Sequence, residues 1–259
     1  MAEKITKSLY GGEVLIDFFP DSHRYKLAGE RTYLISATAC TGIIDKSRFL
    51  IPWAVGLAGT YLKQFIENYE HSQISPEELL PVIDEALKQH AVKKEEAASI
   101  GGLVHSWVES FAQAHINGTP MPEVADDLDE RVLNGINAFL DWYESHKVKF
   151  LESERMVYSK KHGFVGITDA IAEVDGLKLL LDWKTGKGIY NEFLYQVAGY
   201  RLAYEEENGK IDGAIIIHFD KETGNFDKKE ISEEEHNKNF PVFLACLSIK
   251  QREKELTKY

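Results

Sequence analysis

Apolar positions along the chain change period twice. Between residues 13 and 37, β-formers alternate loosely with polar residues in Val14-Leu15-Ile16-Asp17-Phe18-Phe19, Tyr25-Lys26-Leu27 and Tyr33-Leu34-Ile35. Pro20-Asp21-Ser22 and Gly29-Glu30 separate them, and the pattern predicts a small antiparallel meander. From Ser47 to about Asn117 the apolar residues recur every three or four positions, which predicts helices over 52–69, 76–90 and 93–116. Ser75-Pro76-Glu77-Glu78 reads as a helix start, and Asn117-Gly118-Thr119-Pro120 as a stop followed by a loop. A further helix is expected from Asp126 to Lys147, with Val132, Ile136, Phe139, Leu140 and Tyr143 on one side.

After that helix the strand period returns. Phe150 to Ser159, Val165 to Val174 and Leu177 to Trp183 read as three strands, turned by Lys161-His162-Gly163 and by Asp175-Gly176, a strong hairpin signal. Tyr190 to Glu207 reads as a helix, Ala214 to Phe219 as a strand, and Ser232 to Lys254 as a charged amphipathic helix. The chain has no internal repeat, low-complexity tract or obvious linker. The expectation is one α/β domain over 1–259, with a β meander at 1–46, a helical region at 47–147 and a sheet core at 148–259. At 259 residues such a core needs no disulfide staples.

Composition narrows the partners. Thirty lysines and arginines against 42 acids give a formal charge of −12. A chain this acidic repels nucleic acid on average, which excludes a coat-type DNA packager but not a local basic groove. Two cysteines, Cys40 and Cys246, cannot supply a four-cysteine zinc site or an iron–sulfur cluster within one chain. MAEKITKSLYGGE lacks the apolar core of a signal peptide, and no run of about 18 apolar residues predicts a membrane span. A location in the cytosol or an organellar matrix is expected.

The chemistry concentrates at 163–200. Asp169 and Asp182 lie on strands joined by the Asp175-Gly176 turn, so the hairpin can bring them side by side. Asp182 follows Leu179-Leu180-Leu181 and precedes Trp183; a carboxylate there is costly unless paired or metal-bound. Lys184, two residues on, shares its face. Two carboxylates and an ammonium converging on one spot suit a divalent cation and the activation of water against a phosphodiester. Asp-x-Lys also occurs as a plain ion pair on a solvated strand, so the motif alone leaves both readings open. His105 and Glu109 share one face of a predicted helix, and Gln196 and Tyr200 share one face of another.

Four features occur in order. They are helical His105, the Gly166-Ile167-Thr168-Asp169 strand, the Asp182-Trp183-Lys184-Thr185-Gly186 strand, and Gln196 to Tyr200 on a helix. Over about residues 95–205 this resembles the PD-(D/E)XK nuclease superfamily in its RecB-type exonuclease branch. Ser36-Ala37-Thr38, Trp53 and the His105 helix are more loosely similar to the matching stretch of mitochondrial genome maintenance exonucleases and their phage relatives. The resemblance implies a restriction-endonuclease-like core, a mixed central sheet flanked by helices. It implies that His105, Asp169 and Asp182, with the Trp183 carbonyl, hold one or two Mg²⁺ or Mn²⁺ ions. Lys184 would orient or deprotonate the attacking water, and Gln196 and Tyr200 would contact nucleic acid or brace the site. Glu154 matches an acid often found on the preceding strand. Thr168 stands where the name motif has proline, and the cysteines of iron–sulfur members are absent.

The function implied is a metal-dependent DNA exonuclease acting on single strands or DNA ends in replication, repair or recombination. Lys160, Lys161, His162, Lys184 and Lys187 would line a phosphate track, and Trp107, Tyr190, Phe193 and Tyr195 are candidates for base stacking. The helical front half would arch over the site and restrict it to ends or single strands. A separate helicase, recombinase or single-strand-binding protein is the expected partner, in the cytoplasm of a bacterial or phage-infected cell ahead of a mitochondrial matrix. A structure-selective endonuclease of the same fold, a non-catalytic nucleic-acid-binding module and an iron oxygenase stand as alternatives. The last needs a second histidine, and His105 has no evident partner in the motif region.

Overall fold

The alternating segments near the start of the chain pair as strands. The structure, a computed structural model, describes residues 4–70, 73–125 and 127–256. Strands β1 (Ile5–Leu9), β2 (Val14–Phe19) and β3 (Arg24–Leu27) form an antiparallel three-stranded sheet. β1 escaped the sequence reading because its Ile-Thr-Lys-Ser-Leu pattern buries only Leu9. The third expected piece of the meander leaves it: β4 (Ile35–Ser36) pairs in parallel with β6 (Phe164–Val174) in a second sheet.

That second sheet is mixed and runs β4-β6-β7-β8-β9, with β5 (Val148–Ser159) also on β6. β7 (Leu177–Lys184) pairs antiparallel with β6 and parallel with β8 (Gly213–Phe219), and β9 (Phe226–Ile231) closes the edge. No strand is expected at β9 from its residues, because Phe-Asp-Lys-Lys-Glu-Ile is mostly exposed and polar. The β6–β7 turn forms as expected: Asp175 and Gly176 both take positive φ, 51° and 88°, which a two-residue hairpin needs.

Helices cover both faces of this sheet. α1 (Ala37–Thr41), α5 (Asn191–Asn208) and α6 (Glu233–Leu256) contribute Ala37, Val197, Tyr204 and Phe243 to a core with Phe164, Leu180 and Ile216. α4 (Glu130–Glu144) sets Phe139 and Trp142 against Trp183 and Phe219. Leu180 and Trp183 have opposite parity on β7, so their two clusters lie on opposite faces. Asp126, where this helix was expected to start, lies outside the described residues; the cap is Asp129, whose carboxylate accepts from the Arg131 amide at 2.8 Å. Ile16, Tyr25, Met156, Tyr158 and Val165 form a smaller core between the meander and strands β5 and β6.

Contacts group the chain into two compact units where the sequence reading expects one domain. One unit comprises residues up to Ile44 and from Leu103 onward; the other is Asp45–Gly102. The second unit contains α2 (Ser47–Glu67) and the first part of α3 (Pro76–Asn117). The expected helices at 76–90 and 93–116 are thus one. Its start is a capping box, with Ser75 Oγ accepting from Glu78 N at 3.2 Å and Glu78 from Ser75 N at 2.8 Å. His105 belongs to the part of α3 grouped with the sheets. No helix among the described residues is long and apolar enough to cross a membrane. Both cysteines are free and buried.

Candidate active site

Strand register aligns the acids. The β6–β7 ladder ends at Ala170↔Leu181, so Asp169 and Asp182 occupy the next step, where the strands part. On the other side of β6, Ser153↔Ala170 and Arg155↔Thr168 bracket Glu154 opposite Asp169. Three carboxylates from three adjacent strands therefore lie in one row. With no strand partner at the fork, the Trp183 amide donates instead to Asp169 Oδ2 at 2.5 Å. N–H and C=O of one strand residue point to the same side, which directs the Trp183 carbonyl toward Asp169 as well. Thr168, buried, anchors the same fork by donating to the Leu181 carbonyl at 3.2 Å.

The cationic groups complete the row. Lys184 Nζ lies 2.5 Å from Asp182 Oδ2 and 4.8 Å from the Phe193 ring centre. His105 Nδ1 is 3.7 Å from Asp169 Oδ1, held there as Val104 and Val108 of the same helix turn are fully buried. A Cβ on Gly135 of α4 would meet Val104 at 2.6 Å, so a glycine is what lets the helix bearing His105 sit this close.

The environment splits the two aspartates. Burial would raise both. At Asp169 the hydrogen bond and charge of His105, the Lys184 charge and the Trp183 amide outweigh burial and hold the carboxyl below its usual range. At Asp182 burial and the Asp169 charge win over Lys184, and the carboxyl rises to about 6. Its buried Oδ2 is the atom paired with the Lys184 ammonium. Burial would lower His105, but the Asp169 carboxylate raises it on balance. Glu154 is pushed up to about 8, first by burial, then by the charges of Asp169 and Glu109. Its φ of 48° is left-handed, a costly state for a strand glutamate.

Gln196 and Tyr200 lie below this row as a brace. Both are buried, and the Gln196 amide donates to Thr38 Oγ1 at 2.8 Å and to Tyr200 Oη at 2.7 Å. The Tyr200 ring fills the space beside Gly166, where a Cβ would stand 2.3 Å from it. That contact explains the glycine of the Gly166-Ile167-Thr168-Asp169 strand. His218, buried on β8 opposite Lys184, contacts the Gly186 carbonyl at 2.7 Å and so fixes the loop after Lys184. Nothing in the sequence marked His218, since the β7–β8 pairing that places it is parallel and non-local.

The expected phosphate track is not assembled. Lys161 sits in the β5–β6 turn, roughly 20 Å along β6 from Asp169 at strand rise. Lys160 pairs with Glu13 at 2.6 Å, over the Tyr10 ring. Lys187 is exposed in the loop after β7. Trp107 packs on Phe111 of its own helix and Phe139 of α4 and bonds the Glu123 carbonyl, so it serves packing. Tyr190 remains exposed beside Phe193.

Among the described residues no three histidine, cysteine or acidic side chains converge in a ready metal cage. Asp169 and Asp182 instead face His105 and Lys184. The donor set, acidic oxygens with one imidazole, nevertheless fits a hard divalent ion, which would share Asp182 Oδ2 with the Lys184 ammonium.

No family model matches the chain, and no curated protein matches it. Among solved structures the chain aligns with one described as the crystal structure of SSO0001, at 13% identity over 76% of this chain and 84% of that one, with a TM-score of 0.32.

Proposed function

We propose that this chain is a metal-dependent deoxyribonuclease with a PD-(D/E)XK core, acting as an exonuclease on single-stranded DNA or DNA ends. One observation carries the reading. Glu154, Asp169 and Asp182 form a row across three strands, with Lys184 against the last and His105 against the middle one. A simple surface ion pair would need neither the buried Asp182 nor the strained Glu154 backbone.

Asp169, Asp182 and His105, with the Trp183 carbonyl, are the residues that would hold Mg²⁺ or Mn²⁺. Such an ion supplies an activated water and a counter-charge for a phosphodiester oxygen. Lys184, fixed between Asp182 and Phe193, places an ammonium where negative charge develops on the phosphate. Gln196, Tyr200 and Thr38 would serve as a brace, tying α5 to α1 by hydrogen bonds while the Tyr200 ring packs on Gly166 of β6.

The test is cleavage of end-labelled linear single- and double-stranded DNA with Mg²⁺, Mn²⁺ or chelator, beside Asp182→Ala. Metal-dependent laddering from one end, lost in the variant, is expected. Equal cutting of circular single strands would replace the exonuclease by an endonuclease of the same fold. Absence of cleavage under every condition would sink the nuclease reading.

A further inference from the structure

A basic groove lies beside the brace, apart from the acid row. Its cavity of about 470 Å³ is lined by Arg24, Tyr33, Ser36, Ala39, Lys250 and Lys254, among others. Arg24 and Lys26 alternate on β3 and so share a face. Both stand over the Tyr33 ring, at 5.0 and 4.4 Å from its centre, and Lys26 also reaches the Phe19 ring at 5.7 Å. Neither is in an ion pair with a described carboxylate. From α6, Lys254 donates to the Tyr33 carbonyl, and Lys250 bonds Glu253 at 2.8 Å. Three cations, Arg24, Lys250 and Lys254, and one acid, Glu253, line the groove, with Lys26 beside Arg24 at its rim, in a molecule of net charge −12. Dispersed charge would favour the opposite balance.

The groove is continuous with the site's support. Ser36 and Ala39 line it, and Thr38 between them accepts from Gln196. Tyr25 also lines it, and the charge of Glu154 is felt at its hydroxyl.

The geometry points to this groove as the track for a single polynucleotide strand, with Arg24 and Lys26 on successive phosphates. The inference rests on the nuclease reading for its substrate class. A guanidinium stacked on a ring is pre-oriented to offer its N–H edge to phosphate. A cavity of a few hundred Å³ takes one or two nucleotides and not the width of a duplex. The two lysines of α6 form the opposite wall, where they add charge without a directional demand.

The test is binding of fluorescein-labelled dT20 by anisotropy, with Ca²⁺ in place of Mg²⁺, across a salt series. Arg24→Glu/Lys26→Glu should weaken binding at least about tenfold and lower the salt slope by about 1.4, two phosphates at about 0.7 each. Arg24→Gln/Lys26→Gln should do the same in smaller measure, with a thermal melt of each variant to show that it folds. Lys229→Glu, exposed on β9 at the far edge of the sheet, should leave the slope unchanged. Wild-type binding with an unaltered slope in both double variants would overturn the track. So would failure of the wild type to bind dT20, equal competition by polyglutamate, or equal use of these residues by a 20-base-pair duplex. Groove-dependent binding without cleavage would keep the track and remove the nuclease reading.

Discussion

Burial raises the Asp182 carboxyl to about 6, while Asp169 beside it is held low. A cation at this site must displace the Asp182 proton at mildly acidic pH. Because the raised imidazole of His105 must also lose its proton to serve as a ligand, Mn²⁺ affinity, followed by calorimetry at pH 5, 6, 7 and 8, should fall by up to roughly a hundredfold per unit below pH 6, where both groups are protonated, and level off only above the raised value of His105. A flat profile would separate Asp182 from the ion. The brace is equally specific at this scale. Gly166→Ala would press a methyl group into the Tyr200 ring, 2.3 Å away, and the ring has no free space to take because Tyr200 is buried between Gln196 and Thr38. We expect this variant to lose about 1–3 kcal/mol in a urea titration and, with Asp169 three residues away on the same strand, most of its cleavage. Tyr200→Phe, which keeps the ring and loses the hydroxyl contacts with Gln196 and Thr38, should cost about 1 kcal/mol and spare activity. Full activity in Gly166→Ala would show that the ring contact does not position Asp169.

At the scale of elements, the fork between β6 and β7 makes the site. Two strands locked by a tight Asp175-Gly176 turn separate one step beyond Ala170↔Leu181, and the freed Trp183 amide is taken by a carboxylate. Asp169 is therefore a structural cap for the sheet as well as a candidate ligand, so Asp169→Ala is expected to lower stability and cleavage together. Asp169→Asn, which still accepts from the amide, should restore stability without restoring cleavage. Thermal melts beside the DNA assay distinguish the two roles. α4 supports the opposite face through Phe139, Trp142 and Trp183, and its start depends on Asp129. Asp129→Ala should cost about 1 kcal/mol, read as a shifted urea midpoint.

For the whole molecule, the site is a source of instability when no cation fills it. Glu154 and Asp182 keep protons in the folded chain that the unfolded chain loses near 4.5 and 3.8. Stability therefore falls as pH rises through about 4 to 6 for Asp182 and about 4.5 to 8 for Glu154. His105, raised by Asp169, adds stability below its ordinary value of 6.5 that is lost as pH rises through its folded value. Asp169, held low, opposes these only in acid, where its protonation removes stability. The metal-free protein should be most stable at mildly acidic pH, and Glu154→Gln should raise its melting temperature at pH 8.5 and flatten the profile. An unchanged profile would mean that Glu154 is not held against the acid row. The sequence by itself determined the helix start at Ser75 and the stop at Asn117-Gly118, the Asp175-Gly176 hairpin, the placing of Asp169 beside Asp182 and the reach of Lys184, because each is set by residues within a few positions or one tight turn. Only the tertiary structure decided that β4 joins the second sheet, that Glu154 stands in the acid row, that Lys161 is remote from it, and that Thr38, His218 and Gly166 support it. Those placements depend on pairings between segments as many as 158 residues apart, and no local periodicity encodes them.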